Sequence, residues 1–87
     1  MDFDSAVNTL KTLASSPTND EKLTLYGLYK QATVGDNTTA QPGMFDFTGS
    51  AKWTAWNKVK GTTQDKAKTK YIALVGTLIA KYGLTAP

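Results

Sequence analysis

Between Asp36 and Phe47 the apolar period that runs through the rest of this 87-residue chain disappears, and Pro42-Gly43 marks a turn inside the gap. A connection that long is near the upper limit for an ordered loop in so small a domain. It lets the chain cross its own core instead of simply reversing, so the helices it joins need not be antiparallel neighbours. One long connection among short ones is the main constraint on topology here.

Four helical segments surround that gap. The first is expected from about Phe3 to Ala14, where Phe3, Val7, Leu10 and Leu13 or Ala14 recur at helical spacing. Asp2 and Asp4 suit the positive end of its dipole, and Ser15-Ser16-Pro17 stops it. Thr18-Asn19-Asp20-Glu21 fits a capping box, so a second helix should span about Asn19 to Val34, with Gly35 as its left-handed cap. Thr48 or Gly49 begins a third, which carries Trp53, Trp56 and Val59 and ends at Gly61. Thr62 or Thr63 caps a fourth, in which Ala67, Tyr71, Leu74, Val75, Leu78, Ile79 and Tyr82 form a wide apolar stripe. Gly83 and Pro87 close the chain. No strand pattern competes and there is no internal repeat, so the expectation is an all-α four-helix bundle with one crossover connection.

A chain of this length makes one domain and buries only about 60–65% of its unfolded surface, so the core must be economical. Cysteine is absent, which removes disulfides, thiolate chemistry and zinc–thiolate sites. Histidine is absent too, and all ten basic residues are lysine. The usual general base near neutral pH is therefore missing. The seven carboxylates are Asp2, Asp4, Asp20, Glu21, Asp36, Asp46 and Asp65, and most stand where helix starts or turns want them. Catalysis is not expected. The N-terminus has no apolar signal core and no apolar run approaches the ~20 residues of a membrane span, so a cytoplasmic protein is expected.

The second helix carries the unusual face. Tyr26, Tyr29, Lys30 and Thr33 fall at i, i+3, i+4 and i+7, beside an apolar stripe of Leu25, Leu28 and Ala32. Rings stack on planar groups, while hydroxyls and an ammonium donate to anionic oxygens, a combination that fits a ligand with both a heterocycle and phosphate. Lys52 beside Trp53 adds a second ammonium in aromatic company, and Lys11 lies on the first helix. Trp56 reads as a core residue. Lys58, Lys60, Lys66, Lys68, Lys70 and Lys81 read as ordinary solvated lysines. A buried tyrosine hydroxyl must find a partner, which phosphate, ribose or a backbone carbonyl could each supply.

The string from Tyr26-Gly-Leu-Tyr29-Lys30 to Asp36 resembles the second-helix signature of the acyl-CoA-binding protein family. Pro42-Gly-Met-Phe-Asp-Phe-Thr-Gly-Ser-Ala-Lys52-Trp-Thr-Ala-Trp56 through Gly61 is similar to its loop and third helix, and the likeness continues through Ala67 and Tyr71-Ile72 to Lys81-Tyr-Gly83. The resemblance implies an up-down-down-up bundle and a single acyl-CoA-binding domain over residues 1–87. It also implies a carrier of medium- and long-chain acyl-CoA, with no resident cofactor or metal. By matching position, Tyr26, Lys30 and Lys52 would hold the 3′-phosphate, Tyr29 and Tyr71 would contact adenine and ribose, and Lys11 would lie at the rim. The tail would run in a shallow groove walled by the second and third helices, with Leu23 among its contacts. Phe3, Val7, Leu10 and Leu13 would pack the first helix on the fourth. Lys22, Thr48, Ser50 and Val7 depart from common family residues, which bears on tail-length preference and affinity.

The implied partners are the thioester and, transiently, acyl-CoA-using enzymes or membranes, with the protein a monomer. Nucleic acid is not expected, because the net charge of +3 is modest and the lysines are spread over all four helices without a contiguous stripe. A groove for a partner helix would be compatible with ligand binding, but no residue pattern argues for it. Thioesterase-like chemistry lacks a nucleophile–base pair.

Overall fold

The computed structural model describes residues 1–85, so the expected chain-closing role of Pro87 lies outside the described residues. Among the described residues four α-helices form: α1 Phe3–Leu10, α2 Asn19–Thr33, α3 Phe47–Asn57 and α4 Gln64–Tyr82. Each starts at a side chain that satisfies a free amide. Asp2 accepts from the Ser5 amide at 2.7 Å, Asp46 from Gly49 at 2.9 Å, and Thr63 from Lys66 at 3.1 Å. At α2 the capping box is complete: the Thr18 hydroxyl accepts from the Glu21 amide, and the Glu21 carboxylate accepts from the Thr18 amide.

Contacts between helices fix their directions. Tyr26, Gly27 and Lys30 of α2 meet Lys52, Ala55 and Trp56 of α3 in rising order, so these helices run parallel. Glu21, Tyr29 and Ala32 meet Tyr82, Tyr71 and Gln64 in falling order, so α4 is antiparallel to α2. Phe3 reaches Tyr71, while Leu13 bridges to Leu84, so α1 runs parallel to α4. The result is an up-down-down-up bundle in which residues 34–46 make the crossover. The α1 helix packs on α4, and α2 packs on both α3 and α4.

The core is Ala6, Leu25, Leu28, Tyr71, Val75 and Leu78, with Phe3, Val7, Leu10 and Leu13 packed around it. Gly27 lets α2 and α3 touch backbone to backbone, since a Cβ there would meet the Ala55 carbonyl oxygen. At the opposite end, Glu21 ties the start of α2 to the end of α4. Its carboxylate accepts from the Tyr82 hydroxyl at 2.6 Å and from the Lys81 ammonium at 3.0 Å.

Helices α1 and α3 differ in extent from expectation, and α2 ends at Thr33, one residue short of the expected Val34. The α1 helix ends at Leu10, not Ala14, because the next residues leave the helix to pair with the chain's end: the Ala14 amide donates to the Gly83 carbonyl and the Thr85 amide to Thr12. The α3 helix begins at Phe47, not Thr48 or Gly49, because Asp46 is the cap; it ends at Asn57, and a turn carries the chain on to Gly61. Gly35 has φ +100°, the left-handed conformation expected of it at the end of α2. No described helix is long and apolar enough to cross a membrane.

Candidate functional site

On one side of the α2–α3 seam, two ammonium groups rest on aromatic rings. Lys52 Nζ lies 5.5 Å from the Tyr26 ring centroid, and Lys30 Nζ lies 5.0 Å from that of Trp56. At such distances the ring quadrupole attracts the cation, which limits the wandering of a long side chain. Trp56 is buried, and its indole N–H donates to the Gly35 carbonyl at 2.8 Å, so Lys30 lies over a fixed plate.

That plate belongs to a polar hub at the end of α2. Asp36 accepts from the Gln31 side-chain amide and from the Gly61 backbone, each at 2.8 Å. The Gly61 amide first, and Gln31 second, hold the Asp36 carboxyl below its ordinary pKa. Gln31 also donates to the Thr62 carbonyl at 2.6 Å. These bonds join α2 to the turn between α3 and α4 and so set the spacing of residues on α2 and α3. Trp53 is anchored separately, its indole N–H donating to the Thr39 carbonyl of the crossover loop at 3.1 Å.

Tyr29 and Tyr71 lie 6.3 Å apart, centroid to centroid, and Phe3 touches both, stacking on Tyr29 at 6.0 Å and meeting Tyr71 edge-on at 5.1 Å. Tyr71 is buried among core residues, and that burial, with the neighbouring Tyr29, raises its phenol pKa. It therefore stays a protonated donor at neutral pH. Tyr29 is 40% exposed, which leaves ring area for stacking.

Two clefts flank α2. The larger, about 590 Å³, lies between α2 and α3 and is lined by Leu23, Leu28, Ala51, Ala55 and Val59, with Ser50 and Thr54 among its small polar walls. The smaller, about 350 Å³, is lined by Leu10, Lys22, Leu25, Tyr26, Tyr29 and Tyr71. Tyr26, Tyr29 and Tyr71 thus share one cleft, and Lys52 reaches Tyr26 from α3. Leu23 lines the other cleft. Its neighbour Lys22 lines the smaller one, since successive helical residues point about 100° apart. Lys11 caps α1 and is exposed, one residue beyond Leu10.

Two contributors escaped the sequence reading. Phe3 was expected only to pack α1 on α4, yet it also supports both tyrosine rings. Trp56 is the core residue expected, and it also carries Lys30. Neither had a local signal, because the Lys30–Trp56 and Phe3–tyrosine contacts depend on how separate helices pack. Among the described residues there is no group of three or more His, Cys, Asp or Glu able to hold a metal ion.

The family model described as "Acyl CoA binding protein" matches residues 1–75. The chain is 60% identical over 83 residues to acyl-CoA-binding protein homolog 1 of Caenorhabditis elegans, covering 95% of this chain and 96% of that one. It is 51% identical over 80 residues to the acyl-CoA-binding protein homolog of Drosophila melanogaster, covering 92% and 93%. Among solved structures, Oryza sativa acyl-CoA-binding protein 2 superposes with a TM-score of 0.87 at 43% identity, over 91% of this chain and 88% of that one. The solution structure of the yeast acyl coenzyme A binding protein gives 0.72 at 48% identity, over 93% and 94%.

Proposed function

Since the chain belongs to the acyl-CoA-binding protein family, we propose that it is a non-catalytic carrier of medium- and long-chain acyl-CoA thioesters. It forms one binding domain over residues 1–87, works in the cytoplasm as a monomer without a resident cofactor, and keeps an acyl-CoA pool in solution for lipid-metabolising enzymes. It meets those enzymes or membranes transiently.

The observation that carries this reading is a pair of ammonium groups on the packed helices α2 and α3, Lys52 over the Tyr26 ring and Lys30 over the Trp56 ring. Two ammonium groups and a phenol form a donor set for a phosphate dianion. Lysine acts on it as a point charge without the bidentate fork of arginine, so affinity falls as ionic strength rises. Tyr29 and Tyr71 receive adenine and ribose, and Lys11 attracts the head group at the rim. The tail passes Leu23 into the α2–α3 cleft.

Neither half of the ligand is sufficient alone. Each buried methylene contributes at most roughly 0.8 kcal/mol. Hydrogen bonds to charged phosphate contribute about 1.5–3 kcal/mol each, and ordering the ligand offsets part of both. Calorimetry with palmitoyl-CoA, free CoA and palmitate tests the reading. Tight binding of the ester, weak binding of CoA and negligible binding of the fatty acid are expected. Equal affinity for palmitate and its CoA ester would refute it, and hydrolysis of the ester on long incubation would refute the absence of catalysis.

A further inference from the structure

The turn leading into α3 bears the most exposed large apolar side chains among the described residues. Met44, Phe45 and Phe47 are 78%, 84% and 77% exposed. The local fold does not depend on them. The turn is closed by the Asp46 amide donating to the Gly43 carbonyl, and α3 is capped by the Asp46 carboxylate. Large apolar groups clustered in water in this way mark a contact surface.

Three observations say what kind of contact. First, Phe47 stands about one helical turn before Ser50 and Ala51 and two before Thr54, all of which line the larger cleft, so it continues that wall to the cleft's open end. Second, Asp46 is the only charged residue from Asn37 to Ala51, and its carboxylate is turned back onto the Gly49 amide. Third, the patch is small. At roughly 150–250 Å² per ring, it falls short of the ~800 Å² that each partner gives to a stable protein interface. A bilayer requires no matching surface and holds a few inserted side chains weakly and reversibly.

We propose that this turn is a lipid-surface contact: Met44, Phe45 and Phe47 enter the interfacial layer of a bilayer and bring the open end of the α2–α3 cleft against the acyl chains. A tail then moves between membrane and cleft without crossing water. The proposal deepens the carrier reading and rests on it for the role of the cleft.

The test compares wild type with Met44→Ser/Phe45→Ser, whose sites are exposed and lie outside the cleft wall, so the core and the cleft stay intact. Vesicles of phosphatidylcholine with phosphatidylserine are used, first without ester for co-sedimentation. They are then loaded with palmitoyl-CoA, and transfer to the protein is followed by stopped-flow tryptophan fluorescence. Vesicle-free affinity for palmitoyl-CoA is the control. Sedimented fraction and transfer rate should each fall at least about tenfold, with vesicle-free affinity held within about twofold. Identical sedimentation and transfer would overturn the proposal. So would a loss of vesicle-free affinity as large as the loss of transfer, which would make the turn part of the ligand site. Self-association of wild type that the double variant abolishes, with vesicle binding unchanged, would make it a protein interface instead. A wild type that takes up no ester refutes the carrier reading, while sedimentation without ester still decides the lipid contact.

Discussion

The two sides of α2 are built on opposite plans. On one side, polar side chains are held by aromatic supports: Lys52 on Tyr26, Lys30 on Trp56, and Tyr29 against Phe3 and Tyr71. On the other, Ser50, Ala51, Thr54 and Ala55 keep α3 small, and the space left over is the larger cleft. The difference follows from the forces involved. Hydrogen bonds to an anion depend on direction and distance, so their donors gain from being held in place before the ligand arrives. Apolar burial has no direction and requires only room. Under the proposed carrier function, one side would select the head group, and the other would set how strongly a tail adds to it.

Substitutions can break or sharpen that division. The largest effect is expected at the seam itself. In Gly27→Ala the new Cβ would collide with the Ala55 carbonyl oxygen, so the helices must separate. A loss of about 3 kcal/mol in stability is expected, read by urea unfolding, together with weaker binding of every ester. Next come Lys30→Ala and Lys52→Ala. Each should weaken binding by about 1.5–3 kcal/mol, roughly tenfold to a hundredfold, by the same factor for every tail length in calorimetry. A factor that grows with tail length would show that the two sides are not separable.

Ala51→Phe acts on the other side. By filling the cleft it should cost a long-chain ester about 1 kcal/mol, near the value of one methylene, and flatten the rise of affinity with tail length while free CoA binds as before. The smallest effect should come from Glu21, remote from Lys30 and Lys52. The Tyr82 hydroxyl first, then the Thr18 amide and Lys81, lower its pKa from 4.5 to about 2. Because the folded-state value is the lower one, its contribution is complete above 4.5 and fades as pH falls towards 2. Glu21→Gln should remove that part of the acid limb from a plot of Tm against pH and leave ester affinity at neutral pH unchanged.

Local signals in the sequence were easy to read. The capping box at Thr18 and Glu21, a threonine cap at Thr62 or Thr63 and the glycine after α2 each depend on neighbours a few residues away; the box and the glycine stand in the structure, and Thr63 is the cap of the two. Features set by distant residues were not legible. The helical period favours continuing α1 to Ala14, and only pairing with residues 83–85 ends it at Leu10. Asp46 could be named as a carboxylate but not as the residue that starts α3. The candidate residues were named from one helical face and from the family likeness. That Lys22 and Leu23 line different clefts depends on where α1, α3 and α4 lie around α2. The exposure of Met44 and Phe45 likewise has no local signature, because the placement of the surrounding helices decides whether an apolar side chain in a loop is covered.

The packing of α1 on α4 has a consequence for the order of synthesis. A ribosome releases α1 before the other three helices, and α4, whose surface will cover Phe3, Val7 and Leu10, emerges after α2 and α3. Until α4 has been synthesised, that amphipathic segment has no native mate. Folding should accordingly wait for α4 and then proceed as a single cooperative event. A message cut short before α4 would yield a sticky fragment instead of a smaller working protein.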